Sequence, residues 1–208
     1  GPRWCASAAR ISSTPRESVS VASLTPTTAL GGTIPFDETI GGNRIREVSD
    51  AAMASLAMLK GQGAAFKKAA ASRLGELPAP GHAVGHAAGH GEGGNHASTI
   101  WMGPDQYLVE GIDAATLAAT FGASAAITDQ SDAWVRFDVT GGDVVAMLER
   151  LSGADTRRMQ AGSATRTAIH HMHCVIVCRA GGTDFTILGP RSSAASLHHA
   201  LVTTAASL

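Results

Sequence analysis

Alternation of apolar and polar positions is clearest in the last third of the chain. In WVRFDV, Val135, Phe137 and Val139 fall on one side and Arg136 and Asp138 on the other, the period of a half-buried strand. Thr140 and Asp143 then have capping-box spacing, and Val144, Met147, Leu148 and Leu151 form a helical stripe. The run IHHMHCVIVC reads as one strand, and TDFTILG pairs with it across an Ala180-Gly181-Gly182 turn. Pro190, Ser192 and Ser193 open a last helix with Ala194, Leu197 and Leu201 facing inward.

The preceding stretch follows the same grammar. IREVSD and SLAMLK are short strands. A helix carries Phe66, Ala69, Ala70 and Leu74 and stops at Gly75. LPAPGHAVGHAAGHGEGGNHAS reads as a loop, and STIWMG and QYLVEG as a hairpin around Gly103-Pro104-Asp105. Asp113 caps a helix with Leu117, Ala118 and Phe121 on one face and Gly122 at its end, and AAITD is a final strand.

Each half therefore runs strand, helix, strand, strand, helix, with a closing strand visible only in the first. The expected fold class is α+β: two split βαβ (ferredoxin-like) halves whose antiparallel sheets are covered by helices. Expected boundaries are an extended or disordered N-terminal arm over 1–43, a first half over 44–128 and a second over 129–208, forming one compact domain. Residues 1–43, rich in Ser, Thr, Pro, Ala and Gly, show no sustained periodicity.

Composition narrows the function. The 208 residues are 44% hydrophobic and only 16% charged, which favours a surface partly covered by a partner. With 16 Lys+Arg against 17 Asp+Glu there is no basic excess to neutralise phosphates, which excludes nucleic-acid binding as the main role. No apolar run reaches the roughly 20 residues of a membrane span, and the first twenty residues lack the apolar core of a secretory signal. The cytoplasm is the expected compartment.

Histidines and cysteines carry the candidate chemistry. His82, His86, His90 and His96 are candidate metal ligands, but five glycines within 85–94 oppose the regular helix that would make them converge. A flexible polar loop is the expected reading. On a continuous strand, His171 and His173 would share a face and His170 would point the other way. Cys174 and Cys178, about 13 Å apart along such a strand, are beyond disulfide reach and are expected as buried small hydrophobes. Asp129, Asp132 and Asp138 are expected as strand-edge or surface acids. Neither GHGEGG nor GGTD has the context of a phosphate loop. No catalytic or cofactor-binding residue is assigned. Trp101, Tyr107, His171, His173 and Arg191 are the candidate residues for a partner interface.

LPxPG, the W-x-GPDQYL segment, TDQSDAWVRFD followed by Gly141, and DFTILGPRSSAASLHHAL together resemble the gamma subunit of bacterial heterotetrameric sarcosine oxidase. The resemblance covers about residues 44–208 and is sharpest over Trp101 to Leu108 and Asp184 to Leu201. It implies a fold similar to the folate-binding domain of the glycine-cleavage T-protein. It also implies an accessory, non-catalytic role in a complex that demethylates sarcosine to glycine, with tetrahydrofolate as one-carbon acceptor and hydrogen peroxide as product. FAD, FMN, NAD and zinc are implied for the complex and none for this chain. Alpha, beta and delta subunits are the implied partners, the large alpha subunit foremost. The alternatives are a stand-alone folate or small-molecule binding module of the T-protein type, or a subunit of a related N-methyl amino acid dehydrogenase. The family often carries an aromatic in the last helix where this chain has His198-His199.

Overall fold

In the computed structural model, residues 25–85 and 97–208 are described. They begin with a hairpin, β1 (Asp37–Ile40) and β2 (Asn43–Val48). Next come β3 (Met53–Met58), α1 (Gly63–Arg73), β4 (Ala83–Gly85), β5 (Ser98–Gly103), β6 (Gln106–Glu110), α2 (Ala114–Phe121) and β7 (Ala125–Asp129). The rest is β8 (Trp134–Gly141), α3 (Val144–Leu151), β9 (Ala164–Ile169), β10 (Met172–Ala180), β11 (Asp184–Pro190) and α4 (Ala194–Ala206).

Two antiparallel sheets result. One has the order β4-β5-β6-β3-β7, the other β1-β2-β8-β11-β10-β9. Within the first, β5-β6-β3-β7 with α1 after β3 and α2 after β6 is a split βαβ pair. In the second, β10-β11-β8 lacks a strand after α4, and β2 takes that place by pairing antiparallel with β8, from Asn43↔Gly141 to Val48↔Arg136. The closing strand missing from the second half of the sequence is thus supplied from its beginning. Gly141 permits the crossing: its φ is 149°, and a Cβ there would collide with the Gly42 carbonyl and the Asn43 backbone.

The α+β class with antiparallel sheets and covering helices is as expected. Each sheet buries both faces. Phe66, Ala70, Leu117 and Phe121 from α1 and α2, with Leu74 just after α1, pack on Ala54, Leu56 and Val109 of the first sheet. Met147, Leu148, Leu197 and Leu201 from α3 and α4 pack on Val135, Phe137, Ile176 and Ile187 of the second. A third apolar layer, with Met53, Ile100, Leu108, Val175, Val177 and Leu188, fills the space between the sheets. Strand periodicity makes this possible: in β10, Cys174, Ile176 and Cys178 face the helices while Val175 and Val177 face the other sheet.

Several local expectations need correction. The boundary at Arg44 falls inside β2. The preceding residues include strand β1 and a segment tied to buried Glu47, whose carboxylate oxygens accept from the Leu30 and Phe36 amides at 3.1 and 3.2 Å. The expected loop contains β4, which pairs with β5. IHHMHCVIVC is not one strand: His170 and His171, with φ 45° and 70°, form a two-residue turn between β9 and β10. Asp143 is the N-cap of α3 but makes no side-chain capping bond. Other signals hold. Asp113 accepts from the Thr116 amide at 2.7 Å, and Gly75, with φ 78°, ends α1 by returning its N–H to the Ala70 carbonyl.

Candidate functional site

The most unusual chemistry lies between the sheets. Gln106, Leu108 and Glu110 alternate along one face of β6, and Trp134, Arg136 and Asp138 along one face of β8. Leu108 and Trp134 belong to the inter-sheet layer, which places these two polar series opposite each other. Glu110 is 0% exposed and Arg136 1%, positions where a charge survives only with partners.

The partners are present. The Arg136 Nε and Nη2 donate to the two Asp138 carboxylate oxygens at 2.9 and 3.0 Å, and Arg46 Nη2 donates to the same carboxylate at 3.1 Å. Thr186 Oγ1 donates to Asp138 at 2.8 Å and accepts from Arg179 Nε at 3.0 Å. Arg179 reaches across to the other sheet, donating to Glu110 Oε2 at 2.7 Å and to Ser98 Oγ at 3.1 Å. Ser98 in turn donates to Glu110 Oε2 at 2.6 Å. Arg136 Nη1 stands 3.6 Å from Glu110 Oε1, an ion pair without a hydrogen bond, and that oxygen has no hydrogen-bond partner among the described residues.

Burial alone would raise the Asp138 carboxyl. The Arg136 guanidinium, with hydrogen bonds from Arg136, Thr186 and Arg46, overcomes it and holds the group below the usual carboxylate range. Burial likewise works against the Arg136 charge, and Glu110 and Asp138 reverse it, pushing its pKa up. Three guanidinium groups and two carboxylates therefore brace one sheet against the other. The Ser98 hydroxyl is fully buried and committed to the same network.

Beyond Trp134 the inter-sheet layer opens to solvent. A groove of about 270 Å³ is lined by Ser55, Ala57, Met102, Gln106, Leu108 and Trp134 among others. On the other side of Trp134, a hollow of about 460 Å³ is lined by Arg166, Thr167, Ala168 and His173. Arg166 Nη1 donates to the Met102 carbonyl at 3.2 Å, linking the sheets at this open end.

The residues singled out from sequence are dispersed. His82 is exposed, with Nδ1 3.0 Å from the Pro80 carbonyl. His86, His90 and His96 lie outside the described residues. Among the described residues, no three of His, Cys, Asp and Glu are grouped so as to hold a metal ion. The turn at His170-His171 undoes the expected shared face of His171 and His173. His170 instead lines a hollow of about 480 Å³ with Met172, Ser193 and His199. Trp101 and Tyr107 pair across the β5–β6 hairpin. Tyr107 stacks on Phe66 at 6.2 Å, and burial, with the nearby Asp105 charge, pushes its phenol pKa up. Arg191 holds its own chain: its amide donates to the Ala133 carbonyl and Nη2 to that of Thr27 at 3.2 Å.

Cys174 and Cys178 are free and buried, and burial pushes the Cys174 thiol up to about 11. Asp129 closes a turn on Ser131, but Asp138, expected at a surface or edge, lies inside the network. His198 fills the place of an aromatic, edge-on to Phe36 at 4.3 Å and stacked near Phe137 at 6.0 Å, and burial lowers its pKa. Glu110, Arg179 and Ser98 were not singled out from sequence. The available signal was that Glu110 shares a strand face with buried Leu108.

The chain matches no protein-family model and no curated protein. Among solved structures, it is similar to a chain of the heterotetrameric sarcosine oxidase from Corynebacterium sp. U-96, in complex with pyrrole 2-carboxylate. The TM-score is 0.67 at 22% identity, covering 81% of this chain and 87% of that one. It is also similar to the glycine cleavage system aminomethyltransferase T from Bartonella henselae, with a TM-score of 0.55 at 14% identity, covering 79% of this chain and 46% of that one. These likenesses establish a shared fold. The two-way coverage of the first makes the two chains close in length.

Proposed function

We propose that this chain is an accessory subunit of the gamma kind in a heterotetrameric sarcosine oxidase. The observation that carries this reading is the likeness to a chain of that oxidase over 81% of this chain and 87% of that one, whereas the aminomethyltransferase likeness spans less than half of a longer enzyme. The interior chemistry supports it. Arg136, Arg179, Glu110 and Asp138 of the inter-sheet layer are paired with one another, in an arrangement that ties the two sheets together.

On this reading, FAD, FMN, NAD and zinc reside on companion alpha, beta and delta subunits in the cytoplasm. Those companions oxidise the N-methyl group of sarcosine, pass the one-carbon unit to tetrahydrofolate and release hydrogen peroxide. A related N-methyl amino acid dehydrogenase is the nearest variant of the same reading. Among the described residues no helix is long and apolar enough to cross a membrane.

The test is to assay the purified chain alone with sarcosine, tetrahydrofolate and added flavins. The reading expects no turnover, and peroxide formation by the lone chain contradicts it. A second reading, a folate or small-molecule binding module of the T-protein type, draws on the aminomethyltransferase likeness and the open groove beside Trp134. Calorimetry with tetrahydrofolate separates the two, since micromolar binding to the isolated chain favours the module.

A further inference from the structure

The two hollows share Trp134 as lining, a two-part trough at the open end of the inter-sheet layer. Its middle is apolar, with partly buried Trp134 and Met102 beside buried Leu108. One end presents the amide of Gln106, and the other presents Arg166 and His173, both exposed. Among the described residues, no acidic one lines either hollow. Arg166 spends one nitrogen on the Met102 carbonyl and has no carboxylate partner among the described residues. The inter-sheet arginines Arg136 and Arg179 differ: each meets carboxylate oxygens. A Trp and an Arg side by side at the rim of a rigid body, one with unspent donors, are the residue types that carry most of the energy in protein interfaces.

We propose that this trough seats a segment of a partner polypeptide that brings an apolar side chain onto Trp134 and an acidic side chain to Arg166 and His173. The charge pattern selects that occupant, because a basic segment would meet the Arg166 guanidinium and, among the described residues lining the trough, no carboxylate. The proposal rests on the subunit reading above. It makes the open end of the inter-sheet layer the docking face.

The test uses the full chain, affinity-tagged in its own host, as wild type and as Trp134→Ser, Arg166→Glu and a control Arg73→Glu on α1, remote from the trough. A photo-crosslinking residue replaces Ala168, which lines the trough and is exposed. Wild type and control are expected to recover a larger flavin-bearing polypeptide. Trp134→Ser and Arg166→Glu should recover roughly tenfold less or worse, with unchanged circular dichroism and melting showing that they still fold. The crosslink should map to a partner peptide containing Asp or Glu beside an apolar residue. Equal recovery by all variants, or a crosslink to a basic peptide or to a second copy of this chain, overturns the docking face while leaving the subunit reading intact. Failure of the wild type to recover any flavin-bearing polypeptide overturns both.

Discussion

Replacing Arg136 by Met removes the guanidinium while keeping most of the apolar volume. Arg136 is 1% exposed, donates two bonds to Asp138, and stands 3.6 Å from Glu110 Oε1. Its loss takes one ion pair from Glu110, whose other oxygen keeps Arg179 and Ser98. Asp138 keeps Arg46 and Thr186. Because each carboxylate keeps a cation, the cost is that of the lost charged hydrogen bonds, about 1.5–3 kcal/mol, which for a chain of this size is a fall in Tm on the order of 5–10 °C. Urea titration of the wild type, Arg136→Met, Asp138→Asn and the double variant measures the coupling directly, expected between about 0.5 and 3 kcal/mol for groups in contact.

The same variant carries a pH signature. Asp138 has a folded pKa below its unfolded value, so its contribution is complete above the unfolded value, near ~3.9. It is lost as pH falls from there through the folded value. Arg136→Met should flatten that acid limb. A variant within about 1 kcal/mol of wild type, with no coupling to Asp138 and an unchanged acid limb, refutes the account of the inter-sheet network.

Three further outcomes follow from local geometry. His170→Asn with His171→Gly supplies residues suited to two positive-φ positions and should raise stability by roughly 1–2 kcal/mol in urea melts. In a Cys5→Ser background, Cys174 and Cys178 should not react with a thiol reagent until the chain is denatured, since both are buried and their thiol pKa values are raised. Fast native labelling would contradict that packing. Glu47→Ala removes the acceptors of the Leu30 and Phe36 amides, so hydrogen exchange at those two amides should accelerate while exchange in β10 stays slow.

Local patterns carried the elements well where the governing contacts were local. Asp113 and Thr116 lie three residues apart, and the α1 stripe ends at a glycine with positive φ, so both were legible. The strand WVRFDV was legible as a strand, yet Arg136 and Asp138 read as its wet face. They are dry because Arg46 arrives by the pairing of β2 with β8, Arg179 from β10 of the same sheet, and Glu110 from the sheet packed against it. The missing closing strand had a similar cause, since β2 lies 92 residues before its partner β8, at Arg46 against Asp138. The His170-His171 turn escaped because the residues usual at such positions, Asn and Gly, are absent.

For the site, the sequence offered histidines, and the structure disperses those among its described residues. The inter-sheet network and the trough beside Trp134 arise from tertiary juxtaposition. Only the shared strand face of Leu108 and Glu110 hinted at them.

Native mass spectrometry of the tagged chain from its own host, with an absorbance spectrum of the same sample, tests the central claim most directly. The account predicts a hetero-oligomer containing larger polypeptides and a flavin spectrum belonging to them. A lone chain carrying flavin or folate on its own residues would contradict it.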